Sequence, residues 1–337
     1  MIWLYILLFI ISCFTLFWSG SRLVKGLMRM AKYLALREFV LAFFVMAFAG
    51  TLPNLFVGIN SALHGIPELS FGEVVGGNVV DLTLAVGLAV LISGTALPVR
   101  SKMAQTSTIF TAAVAILPLI LILDGNLGRG DGLILLLAFG LYIFWLFSKE
   151  ERFRKVYKGN KNEQGHGLRF IDFLRNRKEP KSIRRFKTFL KDLIKVIVAL
   201  ILLLIASWGV VRSAQVFSDA LSLSLPIVGI LIVGLGNALP ETYFAIVSAR
   251  KRQTWLILGN LMGSVIVCAT LVLGIVVLIS PIKNIDFSPF AIARIFLIIS
   301  AVFFLIIVRT DQKITKKEGL LLLGIYFLFL VTEIIFR

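Results

Sequence analysis

The chain has 337 residues, 58% of them hydrophobic, with a mean hydropathy of +0.95 and a formal net charge of +17. A soluble domain is excluded, because no core of this size could hide so much apolar surface. Nucleic-acid binding is excluded as the source of the charge, because Lys and Arg fall between apolar runs and not on one basic face.

Apolar runs of about twenty residues cross a hydrocarbon layer of roughly 30 Å at about 1.5 Å per residue. Ten are predicted, near 2–19, 38–63, 71–94, 106–124, 131–147, 193–214, 223–248, 256–280, 289–308 and 318–335. In lipid each must satisfy its own backbone hydrogen bonds, so each is read as a helix. The runs lack the alternation of an outer-membrane barrel strand. The first run reads as a retained helix and not as a signal peptide. Met1-Ile2-Trp3 places no positive charge ahead of it, and no small-x-small cleavage site follows.

With the N-terminus outside and the spans alternating, thirty of the thirty-five Lys and Arg fall in inside loops. This positive-inside bias predicts a multi-pass protein of the cell (plasma) membrane with both termini outside. The hydrophilic stretch 148–190 is basic, with Phe153, Phe170, Phe173 and Phe186 interspersed. It is expected to be a cytoplasmic loop lying against anionic lipid headgroups. The domain organisation is then a first five-helix repeat (1–147), the loop (148–190) and a second five-helix repeat (191–337). Because five is odd, the second repeat enters from the opposite side. The fold class is an all-α membrane protein of ten transmembrane helices in two inverted repeats. Nothing in the sequence sets the oligomeric state.

The duplication itself is legible. Residues 50–87 and 237–274 superpose at one offset of 187 with no gap. It pairs Leu52 with Leu239, Pro53 with Pro240, Ser61 with Ser248, Gly72 with Gly259, Gly76 with Gly263, Thr83 with Thr270 and Gly87 with Gly274. The same offset continues to Asp124/Asp311 and Gly132/Gly319.

Enzyme chemistry is not expected. Cys13 and Cys268 both lie inside spans, and C-x-x-C, His/Cys zinc spacing, Walker A, Rossmann and G-x-S-x-G patterns are absent. No cofactor and no ATP-driven step are expected. His64 and His166 read as polar surface.

Two acidic residues are predicted well inside spans, Asp81 and Glu241. At the centre of a lipid-facing helix each would cost about 2.5–3.5 kcal/mol, so each should face a polar cavity. Arg212, Arg294 and Glu333 lie nearer span ends and can snorkel. A structural carboxylate bonded to neighbouring hydroxyls is the plainer reading of Asp81 or Glu241. Both occur in the duplicated segment, beside helix breakers, which favours a site. Pro53 and Pro240 each remove a backbone N–H and free a carbonyl one turn back. Gly50, Gly58 and Gly236 loosen the same turns. Freed carbonyls at membrane depth are tolerated where they face protein or water, and there they bind cations. Asn54 and Glu241 directly follow the prolines, and Thr51, Asn78, Asn237 and Ser264 add neutral oxygens. Such a cage suits hard cations such as Ca²⁺, which take six to eight oxygens.

The segments G-T-L-P-N54 and G-N-A-L-P-E241, each followed by G-x-x-x-G-[GS], resemble the two alpha repeats of the sodium/calcium exchanger family within the cation/calcium antiporter superfamily. The resemblance covers nearly the whole chain. It implies that the motif glutamate falls on Asn54 and Glu241. The preceding ligand positions fall on Gly50 and Thr51, then Asn237 and Ala238. The downstream G-S position falls on Gly77 and Ser264, and the ligand four residues later on Asp81 and Cys268. Microbial members of the family carry three carboxylates and one amide at the four central positions; here the set is Asn54, Asp81, Glu241 and Cys268. Two carboxylates balance one Ca²⁺ and leave three Na⁺ at a net +1. Cys268 offers a neutral thiol, a poor ligand for Ca²⁺.

The resemblance implies an antiporter that exchanges Ca²⁺ against Na⁺ by alternating access. One alternative is exchange against H⁺ with Asp81 and Glu241 as proton carriers. Another is a channel-like or non-transporting relative with an altered ion site. Flux into vesicles under imposed Na⁺ or pH gradients separates the three.

Overall fold

The computed structural model describes residues 2–33, 38–99, 102–157, 182–250, 254–284, 290–310 and 312–335. Helices follow the predicted runs. They are α1 (Ile2–Tyr33), α2 (Glu38–Leu63), α4 (Lys102–Leu121), α5 (Arg129–Tyr157), α6 (Ser182–Leu221), α9 (Ala291–Thr310) and α10 (Lys316–Ile335), with three composite helices among them. The composite α3 runs Pro67–Val80, passes through a π-helical turn at Asp81–Ala85 and continues as Val86–Ser93. In the same way α7 is Leu225–Val228, a π turn at Gly229–Val233, then Gly234–Arg250. Thr254–Val267, a π turn at Cys268–Val272 and Leu273–Ile279 make up α8. Among the described residues nine of these helices are long and apolar enough to span a membrane; α2, 26 residues long, completes the predicted ten.

Two helices exceed expectation. α1 has 32 residues and α6 has 40, against predicted runs of 2–19 and 193–214. At about 1.5 Å per residue they reach roughly 48 and 60 Å, well past the hydrocarbon layer. Lys and Arg favour helix almost as well as Leu, so a helix continues into basic flanks where hydropathy has already fallen. The basic stretch 148–190 is likewise helical at both ends, to Tyr157 and from Ser182. Residues 158–181 lie outside the described residues.

Packing divides the bundle in two. α1 and α6 pack along one another around Leu16, Leu23, Val196, Leu203 and Val210. Val57 of α2, Leu69 of α3 and Val228 and Val233 of α7 close that cluster, and a larger core contains Val75, Val79, Ala85, Leu261, Val265 and Leu273. The outer faces of α1 and α6 leave Trp3, Leu7, Phe14, Ile201 and Ile205 exposed, as expected where lipid replaces water.

The duplication is visible in the backbone. The π turns in α3 and α8 start at Asp81 and Cys268 and end at Ala85 and Val272, pairs related by the repeat offset. A π turn displaces the hydrogen-bond ladder and leaves a carbonyl without its usual N–H. In each copy a threonine hydroxyl bonds a carbonyl just upstream: Thr83 donates to Val79 and Thr270 to Ile266. The repeated threonines are thereby explained. The glycine crossings repeat as well. A Cβ on Gly87 would lie 2.8 Å from the Gly319 carbonyl, and one on Gly274 would lie 3.1 Å from the Gly132 carbonyl. Each contact joins one repeat to the other, and each leaves little room for a side chain.

Loops expected on one face meet there. Leu97–Pro98, after α3, pairs antiparallel with Lys313–Ile314, before α10. Leu127, after α4, bridges to Ile282, after α8, and Asn126 accepts a hydrogen bond from the Asn284 N–H.

Candidate cation-binding site

α3 and α7 run side by side in the same direction with almost no space between them. A Cβ on Gly72 would strike the Pro226 carbonyl, and one on Gly76 the Ile230 carbonyl. A Cβ on Gly229 would lie 2.5 Å from the Leu69 carbonyl, and one on Gly234 would lie 2.9 Å from the Glu73 carbonyl. Four glycines thus let two backbones touch at membrane depth. α8 packs against both α2 and α3, which brings the two duplicated segments into one polar group.

The sequence-predicted residues divide into those that meet and those that do not. Asn54 and Cys268, one from each repeat, touch: the Asn54 amide donates to Cys268 Sγ at 3.1 Å. Asp81, Ser264 and Glu241 form a second group. Ser264 donates a hydrogen bond to Asp81 and also lies against Glu241. A hydroxyl has one proton, and both oxygens of Glu241 are left without a hydrogen-bond partner. Asp81 Oδ1, Asn54 Oδ1 and Asn78 Nδ2 are buried and unpartnered too. All of these residues, with Thr51 and Ala238, are buried. Buried polar atoms are normally satisfied, and leaving one unmade costs about 1–3 kcal/mol or more. A cluster of such orphans is therefore the mark of a bound species.

Other expectations change. The helices are not broken at the prolines: Pro53 lies inside α2 and Pro240 inside the Gly234–Arg250 part of α7. Besides the bond each proline omits, regular hydrogen bonding is interrupted at the π turns, two of which begin at the ligand positions Asp81 and Cys268. The Ala238 carbonyl already accepts the Thr242 hydroxyl at 2.9 Å. Gly77 is half-buried and faces the Gly234 carbonyl, with a Cβ there falling 3.7 Å away. Gly50 lies within α2. Among the described residues no three His, Cys, Asp or Glu side chains converge closely enough to hold a metal by themselves. Ser264 contacts both carboxylates, and the Asn54 and Asn78 side chains are buried on α2 and α3, so an ion held here would take mixed charged and neutral oxygens. Glu333 does not snorkel: it is 3% exposed, with Oε2 unpartnered.

One acidic residue was missed. Glu73 is 1% exposed, and its Oε1 accepts a hydrogen bond from Asn237 Nδ2 at 2.5 Å. The predicted span began at 71, which put Glu73 at an interface. The helix begins at Pro67, which puts Glu73 two turns inside. The G-E73 pair stands where the second repeat has G-N260, and that mismatch was the available signal.

The chain resembles known proteins along nearly its whole length. The profile of the family described as "Sodium/calcium exchanger protein" matches residues 4–148 and 192–335. The chain belongs to the sodium/calcium exchanger family. It is 26% identical over 326 residues to "Inner membrane protein YrbG" of Escherichia coli, covering 96% of this chain and 94% of that protein. It is 25% identical to "Sodium/calcium exchanger MaX1" of Methanosarcina acetivorans, covering 91% of this chain and 92% of that one. Among solved structures it shares the fold of the sodium-calcium exchanger NCX_Mj, with a TM-score of 0.61, 21% identity, and 98% and 99% of the two chains covered. The protein is thus an integral multi-pass membrane protein of an exchanger family, built as inverted repeats.

Proposed function

We propose that this chain is a secondary antiporter exchanging Ca²⁺ against Na⁺ by alternating access. The observation that carries the reading is the buried group of Asp81, Ser264 and Glu241, in which both Glu241 oxygens and Asp81 Oδ1 have no partner. A desolvated carboxylate pair in a helical bundle is costly when empty and is neutralised by one divalent cation. Asn54 and Asn78 supply neutral oxygens, and Cys268 orients Asn54 through their hydrogen bond. Calcium and sodium compete for the same two carboxylates, so loading one displaces the other.

The α1/α6 pair is the moving part in this reading. It packs in a hydrophobic cluster distinct from the larger core, meeting α2, α3 and α7 through Val57, Leu69, Val228 and Val233, so it can slide across that face without repacking the larger core. Repeat boundaries of 1–147 and 191–337, the basic stretch 148–190 against anionic headgroups, a cell-membrane location and outside termini belong to the same proposal.

The test is radiolabelled Ca²⁺ uptake by proteoliposomes under an imposed Na⁺ gradient, an imposed pH gradient, or neither. Uptake driven by Na⁺ alone supports the reading. Uptake driven by the pH gradient alone replaces it with Ca²⁺/H⁺ exchange. No driven uptake, or uptake insensitive to either gradient, leaves a channel-like or non-transporting relative.

A further inference from the structure

The central group does not use Glu73, although Glu73 is as buried as Glu241. It lies eight residues before Asp81 on α3, about 12 Å along the helix axis, while Asn237 lies four residues before Glu241 on α7, about 6 Å along that helix. The glycine contacts advance together along the two helices, Gly72 against Pro226, Gly76 against Ile230 and Gly77 against Gly234. The helices are therefore parallel, and Glu73–Asn237 forms a layer between the central group and the face where α3 and α7 begin.

That layer has three properties of a separate subsite. It holds one carboxylate with Oε2 free of any hydrogen-bond partner at 1% exposure. The Asn237 amide fixes Oε1, so the side chain is already oriented. And α1 passes over it: a Cβ on Gly236, next to Asn237, would lie 3.0 Å from the Phe9 ring and 3.3 Å from Cys13 Sγ. The repeat offset makes the layer one-sided. The equivalents of Glu73 and Asn237 are Asn260 and Gly50, which carry no charge.

We propose that Glu73 and Asn237 form a cation subsite for a single Na⁺, present only on the side where α3 and α7 begin and covered by α1. The proposal rests on the antiporter reading above. One carboxylate with a neutral amide matches a monovalent ion better than Ca²⁺, for which two or more charges are usual. With Glu73 the site carries three carboxylates, enough to balance three Na⁺ where Asp81 and Glu241 alone balance two. The charge missing at Asn54 and Cys268 is then supplied from a different turn of α3.

The experiment compares wild type, Glu73→Gln and Glu73→Asp in vesicles of known sidedness, reading Na⁺-driven Ca²⁺ flux and Ca²⁺/Ca²⁺ exchange with radiolabelled Ca²⁺. In Glu73→Gln the Hill slope for Na⁺ falls by about one and half-saturating Na⁺ rises roughly tenfold, the effect of one lost contact. Both changes appear only when Na⁺ is supplied on the face where α3 begins. Ca²⁺/Ca²⁺ exchange stays within about twofold of wild type. Glu73→Asp, which keeps the charge, retains the wild-type slope. Three outcomes overturn the proposal: an unchanged Na⁺ dependence, equal loss of both exchange modes as a structural role would give, or a slope in Glu73→Asp as low as the Gln variant's. If Glu73→Gln does not fold, the Asp slope alone decides. Failure of the antiporter reading shows differently, as absence of Na⁺-driven flux in the wild type itself.

Discussion

In the first repeat the π turn of α3 begins on a carboxylate, Asp81, and Thr83 bonds the Val79 carbonyl. In the second repeat the turn in α8 begins on a thiol, Cys268, and Thr270 bonds the Ile266 carbonyl. The motif position after the proline reverses the order: a neutral Asn54 in the first copy, a carboxylate Glu241 in the second. The π turn, its threonine and the Gly87 and Gly274 crossings are the same in both copies, and polar side chains are traded between them. The two constraints differ in kind. A glycine at a helix crossing or a threonine on a carbonyl is required wherever the backbone takes that path, so both copies keep it. A cation responds to the summed charge and oxygen count around it, so a carboxylate can move from one copy to the other at little cost.

The sharpest way to break this comparison is to remove one of the two central charges. Glu241→Gln should abolish Ca²⁺-dependent flux while leaving the protein monodisperse in detergent. Near-normal uptake would take Glu241 out of the site. Asp81→Asn should be as damaging, since one carboxylate would remain in the central group against a divalent ion; a fully active Asp81→Asn variant would reduce Asp81 to a structural role and undo the trade between repeats.

The backbone half of the comparison is tested by paired glycines. Gly72→Ala places a Cβ into the Pro226 carbonyl, whereas its repeat partner Gly259 has open space around it. Overpacking against rigid backbone costs about 1–3 kcal/mol or more. In an exposed helix Ala gains up to about 1 kcal/mol over Gly. Gly72→Ala should therefore lower the thermal midpoint in detergent clearly, and Gly259→Ala should leave it level or raise it. Equal losses at both would mean that the close approach of α3 to α7 is not the reason for Gly72.

The smallest and most informative effect comes from Asn54→Glu and Cys268→Asp. Each adds a carboxylate beside the existing pair, and the Asn54–Cys268 contact makes the two changes report on one place. Either should steepen the Na⁺ dependence of Ca²⁺ flux, by up to one unit of Hill slope, with the maximum rate changed less. Correctly folded variants with unaltered ion dependence would show that this contact lies beside the transport group and not in it.

Much of this was readable in order of residues alone. Span count, inversion and the repeat offset follow from hydropathy and from glycines and prolines recurring at one spacing, because a bilayer enforces helices of a set length. Glu73 and Glu333 were not readable as buried. Both lie near the ends of apolar runs, where a charge could equally well reach the interface. Their burial was decided by which helices cover them, and covering is a property of neighbours distant in sequence.

The same division holds for the site. The sequence by itself determined a duplicated membrane bundle with Asp81, Glu241, Asn54 and Cys268 at matching places, since each motif is local and its offset survives in the chain. Tertiary structure decided that the ladder opens at π turns as well as at Pro53 and Pro240, that Ser264 stands between Asp81 and Glu241, and that Glu73 meets Asn237 under α1. These depend on how closely α3 and α7 approach and on the path of α1 across them. Such distances come from packing between helices, which no local pattern of residues encodes.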